Sequence, residues 1–400
     1  MSGWAKLWIG TDMGNGLLEI IVNTIKIALI FFAVVSTVPL LVWVERRGSA
    51  FMQNRLGPNR VGPLGLLQLA ADAVKFIFKE PFVPDAADKV LYFMAPAMCL
   101  LPAMLTFAAI PLSTPFTVMG HTFKMQVADI NVGIIYIFAV ASLGVYGILA
   151  AGWSSANKYS LLGALRASSQ MISYEVAMGL SIIGILMKYK TFDLTKMIWA
   201  QTGPFNFIWQ GHIIQPLSWL PNWGIFFQPL AFILFFTAGF AETNRLPFDL
   251  PEGEAELVAG YHTEYGGFKF NMFFMGEYGH MMTSSALITI LFFGGYALPW
   301  SGGGPVQVQE FWMSHSSWLS QVIPLATGEA ASVLAMLTHL ICFSIKMGFF
   351  LFVYIWVRWT LPRFRYDQLM DLGWKTMLPW SLANLGATTA LLFFARYNPL

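Results

Sequence analysis

The sequence predicts an all-α polytopic membrane protein, with about eight transmembrane helices and an amphipathic interfacial helix in the first cytoplasmic loop. Three observations predict it. Of 400 residues, 56% are hydrophobic and only 11% are charged, where an ordinary soluble domain carries roughly 25% charge. Mean hydropathy is +0.61. The apolar residues also gather into eight segments, each close to the ~20 residues that a ~30 Å hydrocarbon core requires. Soluble, disordered, collagen-like and coiled-coil classes fail on these numbers. A net charge of +2 offers no basic surface for nucleic acid.

The eight segments run over 17–43, 90–112, 130–151, 171–189, 224–241, 270–297, 332–357 and 376–395. No hydrophilic stretch is long enough for a second domain, so residues 1–400 read as a single membrane domain. The first segment is too long for a signal peptide and reads as an anchor helix. Lysine and arginine set the orientation. The loops after spans 1, 3, 5 and 7 hold 15 of the 23, and the termini and remaining loops hold six, counting Lys188 at the edge of span 4. The positive-inside rule then puts the basic loops in the cytoplasm and both termini outside.

Cys99 and Cys342 each lie in an apolar run. They make neither a disulfide framework nor a Cys-x-x-Cys site, and an iron–sulfur cluster, with about four thiolates, would have to sit on another chain. No dinucleotide fingerprint or phosphate loop occurs. Gly302–Gly303–Gly304 beside Pro305 reads as a flexible turn.

Span 1 ends in Trp43-Val44-Glu45-Arg46-Arg47, and a stiff, turn-rich loop follows, Gln53-Asn54-Arg55-Leu56-Gly57-Pro58-Asn59-Arg60. From Leu64 to Phe78 the chain is apolar except at Gln68, Asp72 and Lys75, which with Lys79 form one helical stripe. Such a helix lies along the membrane interface. Asp72 and Lys75 alone could be a surface i,i+3 pair. Beside a rigid arginine loop, the same stripe suits an amphiphilic, lipid-borne ligand.

Acids inside the bilayer cost at least ~2.5–3.5 kcal/mol and should face the bundle interior or a hydrated cavity. Glu175 lies within span 4, Glu277 about two turns into span 6, and Glu242 closes span 5. Glu19, Asn23 and Lys26 share one face of span 1, and His339 and Lys346 one face of span 7. Glu19 can snorkel, His339 reads as a satisfied core histidine, and Lys346 as functional or paired in the interior. Between Glu242 and Glu277 lie seven acids, Glu242, Asp249, Glu252, Glu254, Glu256, Glu264 and Glu277, against only Arg245 and Lys269. Clustered carboxylates in low dielectric cannot all ionise together, which suits a proton relay. Their spacing does not follow the EF-hand ligand order of a calcium site.

These strings resemble a known family. Glu45-Arg46-Arg47, Gln53 to Arg60, and Ala241-Glu242-Thr243-Asn244-Arg245-Leu246-Pro247-Phe248-Asp249-Leu250, running on through Glu252 to Leu257, are similar to the quinone-chamber membrane subunit (the H subunit in bacteria) of respiratory complex I, NADH:quinone oxidoreductase. The resemblance covers the whole chain. It implies that the protein acts as a subunit of that translocase, coupling quinone reduction to proton translocation, with ubiquinone or menaquinone as substrate and no metal, flavin or iron–sulfur cluster of its own. It implies quinone-binding roles for Glu45, Arg46, Arg55, Asp72 and Lys75, and proton-coupling roles for Glu175, Glu242, Glu252, Glu254, Glu256, Glu264 and Glu277. The implied partners are peripheral-arm subunits carrying the terminal iron–sulfur cluster, small neighbouring membrane subunits, antiporter-like pumping subunits and the lipid itself, in a bacterial or mitochondrial inner membrane. A hydrogenase-linked homologue without quinone would share the acid route. A stand-alone ion-coupled transporter would be expected to show an internal repeat, and none is visible. The outer loops 190–223 and 298–331 are longer than the family usually shows.

Overall fold

The computed structural model describes residues 16–118, 121–203, 205, 207–209, 212–214, 220–250, 258–299 and 329–394. Among the described residues, nine principal helices carry the architecture: α1 (Gly16–Met52), α2 (Gln68–Phe78), α3 (Lys89–Leu105), α4 (Gly133–Ser154), α5 (Lys158–Tyr189), α6 (Pro229–Glu242), α7 (Gly267–Phe292), α8 (Glu329–Thr360) and α9 (Leu378–Phe394). The chain is thus an all-α polytopic membrane protein. Helices α1, α4, α5, α8 and α3 with its 3₁₀ extension to Ala109 are long and apolar enough to cross a bilayer. Helix α6 is apolar but has 14 residues, because Pro229 starts it afresh after a single turn at Gly224–Phe227.

Boundaries differ from the sequence expectation where hydropathy and backbone hydrogen bonding part company. Helix α1 runs nine residues past the apolar stretch to Met52, carrying Glu45, Arg46 and Arg47 on helix rather than loop. Helix α5 begins at Lys158, well before the apolar segment at 171, with Asn157 accepting from the Tyr159 amide as its N-cap. Helix α7 stops at Phe292, and Gly294 and Gly295 follow at φ of 69° and 54°. At Gly295 a Cβ would lie 2.5 Å from Ile198 Cδ1, so side-chain space and backbone both require glycine.

Two small antiparallel hairpins decorate the connections after α3 and α5: β1 (Phe116–Val118) with β2 (His121–Phe123), and β3 (Phe207–Trp209) with β4 (His212–Ile214).

Helix α7 is the central post, touching α1, α2, α3, α6 and α8. Every residue from Met281 to Phe292 is buried. Small residues let the neighbours close in. A Cβ at Gly147 of α4 would lie 2.5 Å from Cys99 Sγ and 2.8 Å from its amide nitrogen, so α3 and α4 pack backbone to backbone there.

Three polar features hold the irregular pieces. Lys346 Nζ donates to the carbonyls of Phe293, Gly295 and Ala297 at 2.7–2.9 Å, capping the end of α7 from mid-α8. It is a paired interior lysine, and this pairing explains how an ammonium is kept inside the bundle. His339 Nδ1 lies 3.0 Å from Thr114 Oγ1, consistent with a satisfied core histidine at that nitrogen. Gln170 Nε2 reaches the carbonyls of Ala241 (2.8 Å) and Phe248 (2.9 Å), pinning the turn after α6 to α5. The side chain of Glu19 lies outside the described residues.

Candidate functional site

At the end of the bundle that carries the basic loops, residues from spans 1 and 7, span 6 and the loop after span 5 converge on one carboxylate. Glu45 is 6% exposed. Its Oε1 accepts from Arg358 Nη1 at 2.5 Å, and its Oε2 from Tyr278 Oη at 2.6 Å and from Arg245 Nη1 at 3.4 Å. The Arg245 guanidinium also lies 4.0 Å from the Tyr278 ring centroid, a cation–π contact worth up to about 2 kcal/mol when desolvated. The two guanidinium groups share this place with further carboxylates, since Arg245 also feels Glu277 and Arg358 acts on Asp249. Arg245 Nε and Nη2 meet no partner among the described residues.

Arg46, the next residue along α1, turns outward and pairs with Asp72 of α2 at 2.6 Å, while Gln68 Nε2 donates to the other Asp72 oxygen at 3.1 Å. Asp72 therefore bonds across to α1, so the Gln68–Asp72 part of the stripe turns to the protein while Lys75 and Lys79 stay exposed. Val74, Ile77 and Phe78, on other sides of the same short helix, are exposed apolar residues, as expected of a helix lying against lipid. Between α1, α2 and α7 opens a groove of ≈ 200 Å³, with Val42, Arg46, Asp72, Phe76, Phe274 and Met275 among its walls.

A second ion pair braces the same end. Arg363 Nη2 meets Asp249 Oδ2 at 3.1 Å, and the Phe364 amide donates to the Pro247 carbonyl. Burial pushes the Asp249 carboxyl up to about 6, although the Arg363 guanidinium pulls it down.

On the other side of α7 lie the interior acids. Tyr261 Oη donates to Glu277 Oε1 at 2.8 Å. Glu277, Glu242 and His280 border one void of ≈ 20 Å³, and Glu242, His280 and Ser284 border a second of ≈ 10 Å³. Each is about the size of one water molecule. Glu175 accepts a hydrogen bond from Ser142 Oγ, and its charge is felt at Glu242. His262 lies close enough to feel the Glu277 charge, yet burial holds its pKa below the usual histidine value.

The predicted residues fall into groups. Glu45, Arg46 and Asp72 border or abut the groove. Arg55 is exposed and donates to Gln53 at 2.7 Å, and Lys75 is exposed on α2; neither meets Glu45. Glu242 and Glu277 border one void, and Glu175 bonds Ser142 apart from it. Glu264 stands apart, on an open cleft of ≈ 520 Å³, accepting from Asn157 Nδ2 at 2.6 Å. Glu252, Glu254 and Glu256 lie outside the described residues. The sequence reading passed over Arg358 and Tyr278. A signal existed for Tyr278, next to the acid Glu277. Arg358 had none, since only the folded chain brings it to Glu45.

Helical membrane architecture, a charged knot at one end and carboxylates set between the helices define a polytopic membrane protein with charged groups in its bundle. A family profile described as NADH dehydrogenase matches residues 25–389. The chain is 57% identical over 393 residues to the H subunit of NADH-quinone oxidoreductase from Bdellovibrio bacteriovorus, covering 96% of this chain and 99% of that one. It is 44% identical over 388 residues to an H subunit of NADH-quinone oxidoreductase from Koribacter versatilis (94% and 98% covered), and 43% over 366 residues to that of Leptospira biflexa (90% and 91%). The chain belongs to the H-subunit family of NADH-quinone oxidoreductase.

Proposed function

We propose that this chain is a membrane subunit of proton-pumping NADH:quinone oxidoreductase, complex I, forming part of the quinone-binding chamber and the acidic route that couples quinone reduction to proton translocation. One observation carries the reading. Helix α7 has the groove on one face, at Phe274 and Met275, and the Glu277–Glu242 voids on another, with Tyr278 between them holding Glu45. A change of charge in the groove is therefore one helix diameter from the first interior acid.

The groove is smaller than the ~300–1,000 Å³ of a complete ligand site, so a partner subunit completes it. The chain supplies apolar walls for a quinone and its tail, and the Arg46–Asp72 pair at the rim. Glu45, Arg46, Arg55, Asp72 and Lys75 shape the chamber and its loop. Two-electron reduction of a quinone takes up two protons, or leaves negative charge where low dielectric carries its field far. The guanidinium groups of the Glu45 knot favour that charge. Glu277, Glu242 and Glu175 then shift protons in response, and Glu252, Glu254, Glu256 and Glu264 belong to the same route from the cytoplasmic loop.

Eight helices, α1 and α3 to α9, cross an inner membrane as one domain, with both termini on the outer side. Ubiquinone or menaquinone is substrate. The partners are the peripheral-arm subunits that bring electrons through an iron–sulfur cluster, and the neighbouring membrane-arm subunits that pump.

A tagged copy isolated in mild detergent should bring down a flavin- and iron–sulfur-containing assembly whose NADH:quinone activity stops with a quinone-site inhibitor. Recovery with a hydrogen-evolving partner, or of the chain alone under conditions that preserve other complexes, would overturn the reading.

A further inference from the structure

Both interior voids share two titratable walls. Glu242, at the end of α6, borders each of them, and so does His280 of α7. Glu277 borders only the first, and Ser284 only the second. The imidazole thus stands where the voids meet. It packs closely against α4: a Cβ on Gly144 would lie 3.2 Å from His280 Nε2.

We propose that His280 is a proton-carrying residue that joins the two voids beside Glu242, which borders both, passing protons between the Glu277 side of the first and the Ser284 side of the second. The proposal rests on the proton-coupling reading above and adds a station to it. Neutral imidazole suits the task because one ring nitrogen accepts while the other donates. A proton released by the Glu277 carboxylic acid travels through a water in the first void and forms an N–H bond at His280. The resulting imidazolium breaks its other N–H bond and passes that proton through the second void to the Glu242 carboxylate. Charge and protons balance, and the ring returns to neutrality in its other tautomer.

The surroundings fit transient protonation. The titratable groups bordering the voids with the ring are Glu242 from α6, Glu277 on its own helix, Cys99 from α3 and Tyr261, which donates to Glu277, while α4 presents Gly144 and α5 presents Met171 and Met178. No cation faces it from these elements among the described residues. A carboxylate on either side stabilises an imidazolium for the moment it exists.

The test uses the intact complex in sealed membrane vesicles, with His280→Gln and His280→Leu. Glutamine keeps hydrogen-bonding capacity and bulk but cannot carry the proton as a cation. Both variants should lose inhibitor-sensitive NADH:quinone turnover and proton uptake by about tenfold or more, less than the ~10²–10⁴ of a directly acting acid–base group because water carries part of the flux. Oxidation of NADH by ferricyanide, which draws electrons ahead of the quinone, should be unchanged and reports intact assembly. Turnover and pH profile in His280→Gln matching the parent between about pH 5 and 9 would overturn the proposal, whether or not His280→Leu is impaired. A parent complex with no inhibitor-sensitive quinone reduction would instead overturn the reading on which it rests.

Discussion

Replacing Glu45 by glutamine isolates what holds the charged knot together. The carboxylate bonds two guanidinium groups and one phenol, at 2.5, 3.4 and 2.6 Å. Its removal leaves Arg245, whose side chain is 5% exposed, as a buried cation facing a neutral amide. Breaking a buried pair by removing one partner costs about 3–5 kcal/mol, because the survivor cannot rehydrate. Arg358 is 23% exposed and recovers some hydration, which places Glu45→Gln toward the low end of that range. Even about 1.4 kcal/mol is a tenfold effect. The half-life of inhibitor-sensitive activity in detergent at elevated temperature should therefore shorten at least tenfold. Removing the stranded cation as well, in Glu45→Gln with Arg245→Gln, should restore part of the loss, since contacting charges couple by about 0.5–3 kcal/mol. If the double variant were as unstable as the sum of its singles, the three groups would not be acting as one knot.

Other consequences follow from separate parts of the molecule. Glu175→Gln, which keeps the Ser142 contact but removes the charge, should impair turnover and dye-detected proton pumping while the complex still assembles; full coupled activity would exclude Glu175 from the route. Asp249 keeps its proton up to about pH 6 in the folded chain, against about 3.9 when free. Between those values the folded state holds a proton that the unfolded state has released, so this residue's contribution to stability falls as pH rises through that window. Asp249→Asn should flatten that part of the pH profile of thermal inactivation, and an unchanged slope would refute the assignment. Gly147→Ala drives a methyl into Cys99 and the backbone of α3, and overpacking of this kind costs about 1–3 kcal/mol. Lower thermal stability of the purified complex should follow, and parental stability would mean that α3 and α4 separate without penalty.

The helical class was legible because burial in lipid forces both hydropathy and internal backbone hydrogen bonding on the same residues. Where those demands separate, legibility ends. Glu45, Arg46 and Arg47 read as loop by polarity, yet they extend α1 because Glu45 finds its charge partners inside the protein. The stripe on α2 was visible, but not its direction: Asp72 bonds Arg46, 26 residues away, rather than Lys75 one turn on. The interior acids could be found by the cost of placing a charge at that depth, whereas Arg358 at a helix end carries no such penalty and no local mark. His280 was plain in the sequence as a residue and invisible as a junction, since the two voids are made by helices far apart in the chain.

The closely packed second half of α7 bears on the proton-coupling proposal. Beyond Ser284 and Leu287, where the second void ends, the helix is enclosed to Phe292, and Lys346 donates to the carbonyls of the turn that follows it. On the proton-coupling reading proposed above, a proton reaching the second void would meet close packing and then the Lys346 side chain before it could go further along this helix, so charge in the acid line would leave it sideways, past Glu175.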